Sequence, residues 1–206
     1  RQAHEGGRRE MTRGRLRLLV VGLGVQGRKR LRVAGADAVG TVDPIVEDAT
    51  WRRLADVPRD AYDAAALCVP DGAKRAALAH LLGAGKHVMV EKPLSLSAPA
   101  FAGLQRVARR TGAYCMTAYN HRFEPHFARM KSLIASGELG KIYSCRMFYG
   151  NGTARLVRDS AWRDQGGGVL PDLGSHLIDT CAFWFGDVAK KGEWNIVSAN
   201  RFENRS

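Results

Sequence analysis

Apolar residues in the first half of the chain fall into short uninterrupted runs, separated by segments in which they recur at helical spacing. The short runs are typical of strands buried on both faces, and they are Leu16–Val21, Ala38–Val42, Ala64–Val69, His87–Val90 and Ala113–Ala118. Two segments rich in Ala and Arg, Ala73–Leu82 and Ala98–Arg110, are predicted amphipathic helices. Because strands that alternate with helices form right-handed crossovers, the pattern predicts an α/β fold with a parallel, doubly wound sheet.

The pattern of apolar and polar residues changes after Phe123. Beyond this residue we predict a helix at Pro125–Ser136 and an alternating strand at Lys141–Tyr149. A glycine-rich loop follows, and after it we predict a long helix at Leu170–Phe185 and a last strand at Glu193–Phe202. We therefore predict three regions, which are a disordered basic tail over residues 1–15, a first domain over residues 16–123 and a second domain over residues 124–206.

A glycine-rich hexapeptide, Gly22-Leu23-Gly24-Val25-Gln26-Gly27, directly follows the first predicted strand and opens a helix. In such a turn the main-chain amides and the helix dipole meet a pyrophosphate, although an ordinary glycine turn is the alternative. Asp43 strengthens the first interpretation, because it ends the second strand 21 residues after Gly22, where an acidic side chain accepts hydrogen bonds from the adenosine ribose. Since a carboxylate repels a 2′-phosphate, we predict NAD rather than NADP, unless Arg52 and Arg53 compensate.

Two further motifs carry candidate chemistry. Glu91-Lys92-Pro93 ends the strand His87–Val90, at the carboxyl edge where open α/β sheets place their ligands, although a solvated lysine in a turn has the same sequence. On the long helix, Asp172, His176 and Asp179 share one arc, whereas Leu, Ile, Cys and Phe side chains occupy the opposite arc. A wet polar stripe and a metal site are the alternatives, and we predict no metal because no third His or Cys lies nearby.

Charge and composition narrow the class of protein. The net charge is +12, and +4 of it lies in residues 1–17, where six arginines face two glutamates. The remaining Arg and Lys residues are scattered without interleaved aromatic residues, so we predict no nucleic-acid partner. Apolar stretches long enough for a membrane span are absent from the sequence, and we expect a cytoplasmic protein. The widely spaced Cys68, Cys115, Cys145 and Cys181 are expected to be reduced and buried.

Together the motifs resemble the Gfo/Idh/MocA oxidoreductases, the group of glucose–fructose oxidoreductase and inositol dehydrogenase. The resemblance covers about Arg17 to Asp187. It depends on the order of the glycine turn, Glu91-Lys92-Pro93, Tyr119-Asn120-His121-Arg122-Phe123, and Gly168-Val169-Leu170-Pro171-Asp172-Leu173-Gly174-Ser175-His176 with Asp179. It implies a Rossmann-type domain followed by an incomplete α+β domain with a mostly antiparallel sheet, whose first helix carries a catalytic Asp and His.

The resemblance also implies roles for individual residues. The catalytic residues it implies are Lys92, Asp172 and His176. The cofactor-binding residues are Gly22, Gly24, Val25, Gln26, Gly27, Asp43, Cys68, Val69, Pro70, Glu91, Lys92 and Asn120. The substrate-binding residues are His121, Arg122, Trp162, Arg163 and Asp179, with the loop Tyr149–Arg163 as part of the substrate wall.

The function implied is that of an NAD-dependent dehydrogenase acting on a secondary alcohol of a sugar, cyclitol or nucleotide-sugar, homo-oligomeric in its full-length form. We hypothesise that His176 is the general base, that Lys92 stabilises the reacting oxygen, and that Asp172 orients the hydroxyl or favours the charged imidazole. The alternative is a non-catalytic dinucleotide-sensing regulator of the same fold, and the presence of all three residues favours the enzyme.

The chain departs from the resemblance in two places. Only 26 residues separate Asp43 from Pro70, so we expect a helix or strand of the cofactor domain to be missing or abbreviated. The chain also ends at Ser206, after at most two predicted strands of the second domain, and we therefore expect a C-terminally truncated fragment.

Overall fold

The computed structural model describes residues 15–150 and 170–186. These residues divide into two compact units. Unit 1 comprises the described residues up to Met89 and the segment Ala98–Met116, and unit 2 comprises Val90–Ser97 and the described residues from Thr117 onward. The domain boundary near Phe123 stays a prediction.

The chain forms one five-stranded sheet in the order β2-β1-β3-β4-β5. Its strands are β1 (Leu18–Val21), β2 (Ala38–Val42), β3 (Ala64–Leu67), β4 (His87–Val90) and β5 (Cys115–Thr117). The central strand β1 pairs in parallel with β2 on one side and with β3 on the other. The predicted α/β fold with a parallel sheet is therefore confirmed, and the five strands predicted in the first half of the chain differ from the observed ones only by a few residues at their ends.

The centre of the sheet is buried on both faces. Leu19 and Val20 of β1 and Ala65 and Ala66 of β3 are fully inaccessible to solvent. Uninterrupted apolar runs are typical of such strands, because neither face needs a polar side chain. Fully burying one Val or Leu side chain contributes about 1.5–3 kcal/mol to the free energy of folding. The buried strands are therefore a stable support for the loops at their carboxyl ends.

Unit 1 has three α-helices. They are α1 (Val25–Ala34), α2 (Asp71–Gly83) and α3 (Ala98–Thr111). Helix α2 shows why this part folds as predicted, since its buried residues Lys74, Leu78, Leu81 and Leu82 follow the spacing of one helix face. Asp71 lies in its first turn, where a carboxylate interacts favourably with the helix dipole.

The segment between β2 and β3 contains no α-helix; its only regular elements are a 3₁₀ turn at Leu54–Asp56 and a single parallel bridge from Val42 to Trp51. All residues of this segment are described. In a Rossmann sheet of order 3-2-1-4-5-6, removing strand 3 leaves the order seen here. Trp51 therefore lies where a third strand would pair, on the outer edge of β2.

Unit 2 is mostly helical where the structure describes it. A 3₁₀ turn (Asn120–Phe123) leads into α4 (Pro125–Ser136), and a π-helical turn (Leu170–Gly174) leads into α5 (Ser175–Phe185). Helix α4 has the predicted bounds, because Pro125 suits the first helical turn and Gly137, in the left-handed region at φ 77°, ends it. The long helix predicted from Leu170 begins instead with the wider π turn.

The strand predicted over Lys141–Tyr149 is wrong for the described part of the chain. Residues 141–150 form no ladder with any other described residue, and most of their side chains are exposed. Alternation of apolar and polar residues predicts a two-faced strand, but a strand forms only where a neighbour accepts its backbone hydrogen bonds. The tail over residues 1–14 and the strand predicted over Glu193–Phe202 lie outside the described residues.

Two properties of the surface bear on the class of protein. Among the described helices, none has the length and apolar character needed to cross a membrane. None of the four cysteines, all of which lie in the described part of the chain, forms a disulfide bond, but the expectation that they are buried is wrong, because Cys68 and Cys181 are half-buried and Cys115 and Cys145 are exposed. Cys115 lies in β5 at the edge of the sheet, where an apolar strand composition does not ensure burial.

Candidate functional site

The three glycines of the turn in unit 1 differ in the space around them. Gly22 has φ +89°, a region that disfavours other residues, and a Cβ there would lie 2.6 Å from the carbonyl oxygen of Cys68. A Cβ on Gly27 would lie 1.7 Å from the carbonyl oxygen of Gly22, so this glycine allows α1 to pack against the turn. At Gly24 a Cβ would meet nothing within 4 Å. The turn therefore has one open position, at its middle glycine.

The wall of the turn is formed by the residues after β3. The amide of Cys68 donates to the carbonyl of Val21 at 2.7 Å, and the Val69 side chain lies 3.2 Å from where a Cβ on Gly22 would be. Pro70 then precedes the first residue of α2. The structure thus brings the predicted cofactor residues Cys68 and Val69 next to Gly22.

Asp43 holds the turn through its carboxylate. Its Oδ2 accepts from the amide of Leu23 at 2.8 Å, and its Oδ1 accepts from the amides of Ile45 and Val46 at 2.9 and 3.0 Å. Burial works to raise the pKa of Asp43, but the three backbone hydrogen bonds outweigh it and lower the pKa below 3.8. Asp43 is therefore a charged carboxylate that also fixes the first peptide of the glycine turn, a task that its spacing alone did not indicate.

The two arginines considered as partners for a 2′-phosphate have other partners in the structure. Arg53 makes an ion pair with Asp56 at 2.7 Å. Arg52 donates to the carbonyl oxygens of Val46 and Glu47 at 2.8 and 3.4 Å. Because the partners of Arg52 are neutral, its charge is not cancelled by them, whereas the charge of Arg53 is paired.

In unit 2, residues 80 positions apart in the sequence form an ion pair. The Lys92 ammonium donates to Asp172 Oδ1 and also to the Asp172 carbonyl oxygen at 3.1 Å. Both side chains are largely buried. An ammonium has three N–H donors, and Asp172 takes two of them within the described chain. Lys92 is thus held in place with one donor left for another oxygen.

His176 lies close to this pair and is itself buried, with 6% of its surface exposed. Burial, the Lys92 ammonium and the His121 ring lower its pKa below 6.5, against the opposing effect of the Asp172 and Asp179 carboxylates. Its imidazole is therefore neutral near pH 7 and able to accept a proton. Within the part of the chain that the structure describes, its buried Nδ1 has no hydrogen-bond partner.

Aromatic rings enclose His176 on several sides. The ring centroid of His121 lies 4.6 Å away, and those of Tyr119 and Tyr149 lie 5.7 Å away and meet His176 edge-on. Tyr119 had no predicted role of its own within its motif, and Tyr149 was predicted only as the first residue of a loop in the substrate wall. Neither has a local signature, because each meets His176 only through the tertiary fold.

The predicted substrate residues Arg122 and Asp179 bind each other. Arg122 Nε lies 2.8 Å from Asp179 Oδ2 and its Nη2 lies 2.6 Å from Asp179 Oδ1, which is a bidentate pair. The predicted cofactor residue Asn120 donates to Glu124 Oε1 at 2.9 Å. Trp162 and Arg163 lie outside the described residues.

The two arcs of the helix that carries Asp172 and His176 differ from the expected arrangement in their burial. The side chains that face inward are polar, namely Asp172, His176 and Thr180, while Ile178 of the expected core arc is 44% exposed. Thr180 is satisfied because its hydroxyl donates to the carbonyl of His176 at 2.8 Å. Helical spacing identified the two faces, but it could not say which one would pack, since Lys92 and the 119–121 segment supply the polar partners.

A dinucleotide fits the groups present in unit 1. The open side of Gly24 admits a close approach to the main chain, and Gly24 immediately precedes α1, whose N-terminus has no side-chain cap. The residues that would hold the pyrophosphate are thus Gly24, Val25 and Gln26. Groups of three or more metal-ligating side chains are absent from the described chain.

Sequence comparison places both regions in one family. Residues 16–119 match the oxidoreductase family with an NAD-binding Rossmann fold, and residues 127–195 match the GFO/IDH/MocA C-terminal domain. The chain belongs to the GFO/IDH/MocA oxidoreductases. The family resemblance inferred from the motifs is therefore confirmed.

Curated GFO/IDH/MocA relatives are similar over part of their length. The chain is 35% identical to trans-1,2-dihydrobenzene-1,2-diol dehydrogenase of Oryctolagus cuniculus over 129 residues, which is 63% of this chain and 38% of the relative. It is 33% identical to glucose-6-phosphate 3-dehydrogenase of Bacillus subtilis over 109 residues, or 50% of this chain and 31% of the relative. It is 36% identical to scyllo-inositol 2-dehydrogenase (NADP(+)) of the same organism over 106 residues, or 50% and 29%.

The fold of this family member is also that of solved structures. Scyllo-inositol dehydrogenase of Lactobacillus casei, solved with NAD(H) and scyllo-inositol, superposes with a TM-score of 0.73 at 22% identity, over 84% of this chain and 57% of that one. The chain thus spans a little over half the length of that structure.

Proposed function

We propose that this protein is an NAD-dependent dehydrogenase that transfers hydride between the nicotinamide and a secondary alcohol of a sugar, cyclitol or nucleotide-sugar. The observation that carries the proposal is the buried group of Lys92, Asp172 and His176 in a chain that also has a dinucleotide-binding turn. The names of similar proteins support it, since they include dehydrogenases of scyllo-inositol and of glucose 6-phosphate.

Each residue of the group has a task that its surroundings suit. When bound, the nicotinamide supplies the hydride acceptor. His176 takes the hydroxyl proton, because its lowered pKa keeps the imidazole neutral near pH 7. Lys92 donates its remaining N–H to the reacting oxygen and stabilises negative charge that develops there. Asp172 fixes the ammonium through two contacts, which gives it a positioning task toward Lys92.

NAD is proposed as the cofactor in preference to NADP. Asp43 is charged, and Arg53 is paired with Asp56, so a 2′-phosphate near Asp43 would meet a carboxylate. The charge of Arg52 is the feature that opposes this preference. A cytoplasmic location and a homo-oligomeric full-length form stay predictions.

The test combines binding and turnover. NADH and NADPH are titrated by fluorescence, and oxidation of scyllo-inositol, myo-inositol, glucose 6-phosphate and a nucleotide-sugar is followed at the NADH absorbance. We expect NADH binding and turnover with at least one of these alcohols. NADH binding without turnover on any of them would instead favour a dinucleotide-sensing protein, and absence of NADH binding would contradict both functions.

A further inference from the structure

The buried nitrogen of His176 raises the question of where its proton goes. Nδ1 of His176 is buried and has no partner among the residues described. A buried nitrogen cannot deliver a proton directly to bulk water. Oxidation of an alcohol leaves one proton on the protein in every turnover, so a base in this position needs an outlet.

The adjoining imidazole is the group best suited to accept that proton. His121 lies 4.6 Å from His176 between ring centroids, with the rings tilted by 35°. Within the described part of the chain, the other rings in contact with His176 are those of Tyr119 and Tyr149, and burial raises the pKa of Tyr119 above 10.0. A neutral phenol is a poor proton acceptor, whereas an imidazole both accepts and donates near neutral pH.

Exposure increases stepwise away from His176. The side chain of His121 is 14% exposed and that of Glu124 is 34% exposed, with His121 Nε2 3.8 Å from Glu124 Oε1. The other oxygen, Glu124 Oε2, lies 3.4 Å from Nε2 of His126, which is exposed to solvent. The ring of His121 is stacked on Phe127 at 4.7 Å, which holds it between its two partners. We call His176, His121 and Glu124 the histidine path.

We propose that His121 is a positioning residue that exchanges protons with His176 and passes them to solvent by way of Glu124. The inference extends the proposed function. In the oxidation direction the O–H bond of the alcohol breaks and its proton forms an N–H bond on His176, while the hydride goes to the nicotinamide. That N–H bond then breaks as one forms on His121, directly or through one water, and the Glu124 carboxylate stabilises the charged His121 until water takes the proton. Reduction of a ketone runs the same steps backward.

Several titratable groups face the path and bear on its pH dependence. Around His176 they are Lys92, Asp172, Asp179, His121, Tyr119 and Tyr149. Around His121 they are His176, Glu124 and Tyr149. Among the described residues, His121 adjoins the half-buried carboxylate of Glu124, which lies nearer to solvent than His176 does, so the geometry favours movement of charge outward from His176.

The first experiment needs no turnover. In protein labelled with ¹⁵N-histidine, NMR measures how fast the His176 ring N–H exchanges with water. His121→Phe keeps the stacked ring but carries no proton, and we expect it to slow the exchange by at least about tenfold. His121→Gln gives a second variant if the first fails to fold, and His80→Phe on α2 is the matched control. Unchanged exchange in folded His121 variants would overturn the proposal.

The second experiment uses turnover of scyllo-inositol or another alcohol found active. We expect His121→Ala to lower kcat by about tenfold to 10²-fold, less than the loss of the base itself, and millimolar imidazole to restore it. His121→Phe fills the space and should not respond to imidazole. A rate in His121→Ala that stays low at every imidazole concentration would overturn the relay. Failure of the wild-type protein to turn over any alcohol would contradict the proposed function, and the exchange experiment would still decide the path.

Discussion

In the glycine turn of unit 1, the groups that face a ligand belong to the main chain, and the site exists because side chains are missing. In the Lys92–Asp172–His176 group of unit 2, the proposed chemistry belongs to buried side chains, of which Lys92 and Asp172 form an ion pair. Adding a carbon atom to a glycine should damage the first kind of site, and removing a charged side chain should damage the second. Substitutions that look equally mild should therefore fail for different reasons in the two regions.

The largest effect is expected in unit 2. His176→Ala should lower kcat by about 10² to 10⁴, because a positioned base is lost, while the dissociation constant of NADH changes little. Lys92→Ala should do comparable damage, and Lys131→Ala, on the exposed α4, is the control for loss of a lysine. If His176→Ala kept kcat within a few-fold and left the pH profile unchanged, His176 would not be the base, and Lys92 would take its place as the candidate.

A matched pair of glycine variants tests unit 1. Gly27→Ala places a methyl group 1.7 Å from the Gly22 carbonyl oxygen, so the protein should lose stability by about 1–3 kcal/mol or more. Gly24→Ala meets nothing within 4 Å and should keep the wild-type Tm while weakening NADH binding by about tenfold or more, since its methyl group occupies the ligand's space. Calorimetry and fluorescence titration separate the two effects. Equal losses of Tm in both variants would show that the turn does not divide its tasks in this way.

The pH dependence of kcat/KM and of stability tests the assignment of His176 as the base in unit 2. Because burial and Lys92 lower the pKa of His176, the acid limb of kcat/KM should lie below pH 6.5. The same shift affects stability, since the neutral imidazole is favoured in the folded state. That stabilisation is complete above the unfolded pKa near 6.5 and is lost as the pH falls through the folded value. An acid limb above pH 6.5 in the wild-type protein would contradict the assignment.

The smallest effect concerns the cofactor's ribose. NADH should bind more tightly than NADPH, and Asp43→Ala should narrow the difference. The variant should weaken both ligands somewhat, because it also removes the hydrogen bond to the amide of Leu23. Asp56→Ala is a useful comparison, since it frees Arg53 without touching the turn. Tighter binding of NADPH by the unmutated protein would overturn the preference.

The two regions also differ in how much of them the sequence revealed. The glycine turn could be predicted because Gly22, Gly24 and Gly27 are local and each obeys a steric rule. Lys92 and Asp172 were identified one at a time, but their ion pair joins residues 80 positions apart, and no local pattern carries that information. The burial of Asp172 and His176 was missed for the same reason, because a polar helix face is buried only when distant residues provide partners.

The outer edge of β2 in unit 1 affects how the protein behaves in concentrated solution. The outer side of β2 has lost its neighbouring strand, and an open strand edge is a template for pairing with another chain. Here the main chain of Trp51 takes the hydrogen-bonding groups of Thr41 and Asp43, and its indole covers Gly40 so closely that a Cβ would lie 2.3 Å from the ring. Trp51 therefore occupies hydrogen-bonding groups of β2 that another chain would need for edge-to-edge pairing, and this should reduce aggregation at that edge.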